Sequence, residues 1–268
     1  IWVTRWNYST QNDIVQIMRN AKLLGTTDVL FQVRGEATVF YPSKIEPWAW
    51  ELTGSSSQSL GKDPGWDPLG VAISEAMNRY PSWCIVDHLG KRLRSTEKFY
   101  TFLSPGIPEV RKYLASICGE MAKLYPDMKG IHLDYIRYPA HTEISGTFQD
   151  FSYDTPSVTA FKKLYGKAPR HDLQEWQQFK QMNVTASIRA MRYAIQSASP
   201  TMELSATFVA ETEKAKTQVG QDAKTWLSEN VVDWATPMLY KKGVNDFREG
   251  LEELKEYFTS DQCKRLSI

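Results

Sequence analysis

Three cysteines, four histidines and no long apolar run set the first limits on this 268-residue chain. Cys84, Cys118 and Cys263 lie far apart and form no CxxC pair. That excludes a disulfide framework and a cysteine zinc site, and leaves them as small buried hydrophobes. No HxH or HExxH string occurs, so a metal-dependent hydrolase using His132 and Asp134 as ligands is the weakest enzymatic reading, and no metal or other cofactor is expected. No segment approaches the roughly 18 apolar residues of a membrane span. No signal peptide precedes Ile1, where the chain opens on a strand-like segment and reads as a mature or trimmed form. Charge of one sign is missing too. A formal net charge of +1 with 24% charged residues implies no general attraction to nucleic acid or an anionic membrane. Neither GxGxxG nor GxxxxGK(S/T) follows a strand-like segment, which removes the main support for a nucleotide-binding sheet.

Aromatic residues and alternating periodicity are plentiful. The 9 Trp, 13 Tyr and 11 Phe suit either the core or the apolar faces of sugar rings. Strand-like runs at Ile1 to Trp6, Asp28 to Gly35, Ile131 to Ile136, Met202 to Ala210 and Val232 to Tyr240 alternate with helical stripes. The helices are expected over Ile14 to Leu24, Pro68 to Met77, Ile107 to Tyr125, Ser157 to Tyr165, Asn183 to Ser197, Asp222 to Glu229 and Asp246 to Phe258. Arg265 to Ile268 reads as the start of a further strand. Such alternation predicts an α/β fold with a parallel sheet, as one domain over residues 1–268. Polar residues gathered at the ends of several strands favour a (β/α)8 TIM barrel over a doubly wound sheet. From Glu36 to Asp67 the chain reads as an irregular loop whose Tyr41, Trp48, Trp50 and Trp66 either line a cleft or fasten the loop down.

One carboxylate interrupts the apolar run Gly130-Ile131-His132-Leu133-Asp134-Tyr135-Ile136. A side-chain period of two puts His132 and Asp134 on one face. A buried charge must be paired or used. Asp134 is therefore either half of an ion pair with Arg137 or His132, or a catalytic group at the C-terminal end of a strand. His132 either holds that carboxylate by a hydrogen bond or is a satisfied core histidine. Ser205, Thr207 and Glu211 share parity along their strand and beyond it. Asp233 falls at the opposite end of its strand and reads as structural.

Several strings resemble the bacterial glycosyl-hydrolase-like family 10. They are Trp2-Val3-Thr4-Arg5-Trp6, Phe31-Gln32-Val33-Arg34-Gly35, Tyr41-Pro42-Ser43-Lys44-Ile45-Glu46-Pro47-Trp48, Gly61-Lys62-Asp63-Pro64-Gly65-Trp66-Asp67-Pro68-Leu69, Ser104-Pro105-Gly106-Ile107-Pro108-Glu109-Val110-Arg111, the stretch from Gly130 to Pro139, and Val232-Asp233 with Pro237-Met238 and Tyr240. The resemblance implies a (β/α)8 barrel that hydrolyses glycosidic bonds of an envelope or extracellular polysaccharide, peptidoglycan glycan among them. It places the protein outside the cell, in the periplasm or at the cell surface. It also implies a strand between Met77 and Tyr80, and a last strand and helix. Neither is found, so the barrel is expected to lack strand 3 and its last strand in these residues.

Glycoside hydrolysis ordinarily uses two carboxyl groups. Asp134 is the first. Glu211 is the candidate acid, with Glu213 and Glu36 as competitors. Arg5, Gln32, Arg34, His132, Arg137 and Tyr240 are candidates to hold sugar hydroxyls, and Trp6 and Trp48 to stack on sugar rings. The expected partner is an oligo- or polysaccharide. The rival reading is a glycan-binding barrel without catalysis.

Overall fold

The computed structural model of the chain describes residues 2–7, 20, 24, 30–32, 34, 35, 38, 39, 45, 85–90, 102–139, 142–144, 147–170 and 172–268. The helices expected over Ile14 to Leu24 and Pro68 to Met77, the loop aromatics Trp48, Trp50 and Trp66, and the stretch between Met77 and Tyr80 where the family's third strand was expected to be missing lie outside them, save Asn20 and Leu24. Two compact units are present, Ile1–Pro81 with Arg94–Thr101, and Ser82–Leu93 with Phe102–Ile268.

In the first unit β1 (Trp2–Val3) pairs in parallel with β2 (Leu30–Phe31). β3 (Arg34–Gly35) pairs antiparallel with β4 (Thr38–Val39). The strand expected from Asp28 to Gly35 is therefore broken. Its apolar part joins the parallel pair, whereas Arg34 and Gly35 turn into a hairpin, so Arg34 does not end the parallel strand. Thr38–Val39 likewise gives order to the start of the segment expected to be irregular.

The second unit is built on a parallel sheet of order β5-β8-β9, with β5 at Gly130–Leu133, β8 at Glu203–Val209 and β9 at Trp234–Met238. Leu204, Ala206 and Phe208 are buried on one face of β8, and Phe208 meets Phe258 edge-on at 5.7 Å. Leu266 bridges to Ala235 in parallel, as expected of a strand beginning near Arg265. Among the described residues the parallel strands form this sheet and the β1-β2 pair, not a closed ring. Between β5 and the first crossover helix, β6 (Thr142–Ile144) pairs antiparallel with β7 (Thr147–Gln149).

Helix α1 (Pro108–Leu124) has Pro in its first turn, Glu109 near its N-terminus and Lys123 near its C-terminus, each favourable to the helix dipole. Its buried stripe is Val110, Ile117, Cys118, Met121 and Ala122, and Leu124 at its end is exposed. Asp154 caps α2 (Thr155–Tyr165) by accepting from the Ser157 N–H at 2.9 Å. Helix α3 (Gln174–Ala198) begins well before the expected Asn183, because Trp176, Phe179 and Lys180 extend its buried stripe through a glutamine-rich turn. Trp176 stacks on Phe179 at 5.4 Å and meets Phe161 edge-on at 5.0 Å, so much of the aromatic surplus is core. After β8 come α4 (Thr212–Val219) and α5 (Ala223–Ser228), then, past β9, α6 (Val244–Tyr257) and α7 (Ser260–Cys263). Helix α4 is absent from the sequence reading.

Lys180 is fully buried, its Nζ 3.4 Å from Asp150 Oδ2, and the Ser152 hydroxyl donates to Asp150 Oδ1 at 2.8 Å. Burial pushes the Lys180 ammonium below its ordinary range, and the Asp150 charge opposes this. Removing one partner strands the other charge in the core. We predict that Lys180→Met lowers the free energy of urea unfolding by about 3–5 kcal/mol. Lys180→Met with Asp150→Asn is expected to recover most of that loss, and a double variant no better than the single one would contradict the pairing.

Candidate active site

Asp134 follows the last residue of β5. Register pairs His132 with Ser205 and Leu133 with Ala206, which brings Asp134 beside Thr207 on β8. The Thr207 hydroxyl donates to Asp134 Oδ1 at 3.0 Å, and the Tyr135 N–H donates to the same oxygen at 2.8 Å. His132 Nδ1 meets Ser205 Oγ at 2.7 Å. Since Ser205 and Thr207 share a face of β8, His132 and Asp134 share a face of their own segment, as the period of two requires.

Two expectations for this carboxylate are corrected. Asp134 is exposed rather than buried, because β5 ends at Leu133 and not at Ile136. It also forms no ion pair among the described residues. The Arg137 guanidinium lies over the Tyr135 ring at 4.8 Å, and the hydrogen bonds to Asp134 come from Thr207 and Tyr135 rather than from His132.

The turn after Asp134 is strained. Tyr135 has φ +55°, a left-handed conformation uncommon for a bulky residue and costing on the order of 1–3 kcal/mol. Its ring is half-exposed, 6.3 Å from Phe102. Beyond it, Ile136 and Tyr138 are buried, and the Tyr138 N–H donates to the Val219 carbonyl at 2.9 Å. Burial pushes the Tyr138 hydroxyl up, Asp154 adds to the shift, and Asn183 and Ser104 oppose it.

Glu211 is two residues past β8, at the N-cap of α4. Its Oε1 lies 3.9 Å from Lys241 Nζ, with both side chains partly exposed. Glu213 follows in the first turn of α4 and lines a polar groove of about 230 Å3 with Gln174, Gln178 and Lys216. Tyr240, two residues past β9, is 87% exposed. Asp134, Glu211, Tyr240 and Lys241 thus all follow the C-terminal ends of three adjacent parallel strands.

At the opposite end, Asp233 accepts from Arg192 at 2.8 and 3.0 Å and from the Leu204 N–H at 2.8 Å. Burial pushes its carboxyl up, but these hydrogen bonds and the charges of Arg192 and Arg265 hold it below the usual range. This is the structural role expected of Asp233.

In the first unit the Arg5 N–H donates to Gln32 Oε1 at 3.0 Å, and the Gln32 N–H donates to the Val3 carbonyl at 2.9 Å. The Arg5 guanidinium lies over the exposed Trp6 ring at 4.6 Å. Gly35 leaves the space it occupies, since a Cβ there would strike the Arg5 side chain. Arg5, Trp6 and Gln32 are therefore gathered together, with Arg34 on the neighbouring hairpin. Trp48 and Glu36 lie outside the described residues. Thr207, Tyr135 and Lys241 were missed by sequence reasoning, although the parity of Ser205 and Thr207 pointed to the first.

The model of the family described as glycosyl hydrolase-like 10 matches residues 72–267. The chain belongs to this family. It is 24% identical over 266 residues to the glycosyl hydrolase YngK of Bacillus subtilis (strain 168), covering 86% of this chain and 49% of that protein. It is 28% identical over 155 residues to the glycosyl hydrolase DigH of Escherichia coli (strain K12), covering 46% of this chain and 34% of that protein. The chain spans half or less of the length of these curated relatives. Among solved structures it is similar to a beta-galactosidase from Bacillus circulans sp. alkalophilus, with a TM-score of 0.55 and 13% identity over 90% of this chain and 39% of that one, a likeness of fold alone. This family member thus has a glycoside hydrolase-like α/β fold with a parallel sheet. No helix among the described residues is long and apolar enough to cross a membrane.

His132 gives the stability of the fold a pH dependence. Burial pushes its imidazole below the usual histidine range, and the Asp134 charge opposes the shift without reversing it. The fold therefore disfavours the imidazolium. In the unfolded chain His132 takes up its proton near about pH 6.5. Its contribution is complete above that pH and is lost as pH falls from there through the lower folded value. We predict that the melting temperature drops between about pH 7 and pH 5 and that His132→Gln makes this stretch flatter. An unchanged slope in the variant would contradict the assignment.

Proposed function

We propose that this chain is a (β/α)8-type catalytic domain that hydrolyses glycosidic bonds, with Asp134 as the carboxylate facing the anomeric carbon and Glu211 as the general acid. One observation carries the reading. A carboxylate without an ion pair among the described residues follows a parallel strand, is oriented by Thr207, and stands beside a residue in strained backbone conformation. Barrel enzymes place their chemistry at the C-terminal ends of strands, and strain of this kind gathers at active sites. Glu211 follows the end of the adjacent strand β8 and is our candidate for the second carboxyl group of a two-carboxylate mechanism. Membership of a hydrolase-like family and the fold likeness to a beta-galactosidase support the same class.

In this mechanism Glu211 protonates the leaving oxygen while Asp134 stabilises the positive charge that develops on the sugar ring, as nucleophile or as base for water. Tyr240 offers an exposed ring for sugar stacking, and Arg137 offers donors to hydroxyls. The substrate we propose is a bacterial envelope or extracellular polysaccharide, met in the periplasm or outside the cell.

A second reading is favoured by the Glu211–Lys241 ion pair, which occupies the candidate acid. On that reading the domain binds glycan without cleaving it. Purified protein would be incubated with peptidoglycan glycan strands, a bacterial exopolysaccharide and a plant β-glycan, and products identified by mass. We predict cleavage of one of them, reduced at least about 10³-fold in Asp134→Asn, with glycan binding retained. Binding by the wild type without any product would favour the second reading, and full activity in Asp134→Asn would remove Asp134 from the chemistry.

A further inference from the structure

Strand β5 stops pairing with β8 at Leu133, opposite Ala206, while β8 runs on to Val209 and keeps its register with β9 as far as Met238. On the side that β5 has left, β8 presents the Thr207 carbonyl and the Val209 N–H. In a parallel ladder one residue of the neighbouring strand would answer both groups, donating to the first and accepting from the second. The Gln221 side chain takes that place. Its Nε2 donates to the Thr207 carbonyl at 3.1 Å and its Oε1 accepts from the Val209 N–H at 3.0 Å. The same Nε2 donates to the Ile136 carbonyl at 3.3 Å, just past the strained Tyr135. Gln221 is 1% exposed. It follows Gly220, whose φ of +74° ends α4, the helix that begins at Glu211.

We infer that Gln221 is a positioning residue for Asp134, an inference that rests on the reading of Asp134 as the reacting carboxylate. Its amide closes the gap that β5 leaves, ties the Asp134–Ile136 turn to β8, and sets the Asp134 carboxylate against the Thr207 hydroxyl. Because one primary amide both donates and accepts, no apolar side chain replaces it. A glutamate does so in part, and only when protonated, its single O–H serving one of the two carbonyls. As a carboxylate it would face two carbonyl oxygens, and burial among them favours its neutral form.

The test uses the full chain and two variants, Gln221→Leu and Gln221→Glu. The first readout is hydrogen-exchange protection of the Tyr135 amide, which donates to Asp134, measured against the Leu204 to Ala206 amides as a control for the sheet. The second is kcat and KM on peptidoglycan glycan strands. In Gln221→Leu we expect Tyr135 protection to fall about tenfold with the sheet amides unchanged. We expect kcat to fall about 10²-fold with KM within about twofold, the signature of a displaced catalytic group. Gln221→Glu should lie close to the wild type at about pH 5 and approach Gln221→Leu in both readouts as pH rises and its carboxyl ionises. Should Gln221→Leu fail to fold, the pH comparison in Gln221→Glu decides. Tyr135 protection that is unchanged in Gln221→Leu, or not regained at low pH in Gln221→Glu, overturns the inference. Absence of cleavage by the wild type counts against the hydrolase reading on this glycan and leaves the positioning role to the exchange readout.

Discussion

When a strand leaves a parallel sheet before its neighbour does, the neighbour's backbone groups must be satisfied by something else, and the departing chain must turn sharply. This constraint operates at Leu133, and most of the site follows from it. The turn is made at Tyr135 in a left-handed conformation that a bulky residue adopts only when its surroundings compel it. Burial of Ile136 and Tyr138 and the bond from the Tyr138 N–H to Val219 supply that compulsion. Asp134, left without a strand partner of its own, takes the Thr207 hydroxyl instead. Its exposure and its lack of an ion pair among the described residues keep it available to a ligand.

The two ends of the β5-β8-β9 sheet are built differently. Near the N-terminal ends of β8 and β9, Arg192 and Asp233 form a paired bridge that also anchors the Leu204 N–H, and Arg265 donates to the Asp233 carbonyl at 2.8 Å. Helix α3 contributes Arg192 there and Trp176, Phe179 and the buried Lys180 along its length. Arg192 and Asp233 are matched and held at that end. The C-terminal ends carry Asp134, Glu211 and Tyr240, which are exposed. Barrel enzymes keep stability at the N-terminal ends of their strands and chemistry at the C-terminal ends, and the reading proposed for Asp134 follows that division.

Much of the second unit was legible in the sequence because its signals were local. Helix α1 falls within a residue of expectation at each end, since Pro108 fixes its first turn and its apolar spacing is regular. Strands β8 and β9 fall inside their expected segments. Where reading failed, the cause was tertiary. Gln174 to Gln178 look like a solvated surface, yet Trp176 and the buried Lys180 make them part of α3. Ile131 to Ile136 reads as one strand, because no glycine or asparagine marks the positive φ that ends it. The Asp28 to Gly35 run fails likewise, its alternation continuing through Arg34 although the pairing changes from parallel to antiparallel. Asp134 was legible as the anomalous carboxylate. Its partner was not, because register across β5 and β8 decides that Thr207 faces it.

Whether Asp134 acts on the anomeric carbon is decided by chemical rescue. Asp134→Ala would open the face of the sugar that the carboxylate covers, and azide is small enough to attack there in its place. We expect a variant that is folded and inactive, regains cleavage when sodium azide is added, and releases a glycosyl azide identifiable by mass. Cleavage by Asp134→Ala at the wild-type rate without azide would contradict that role.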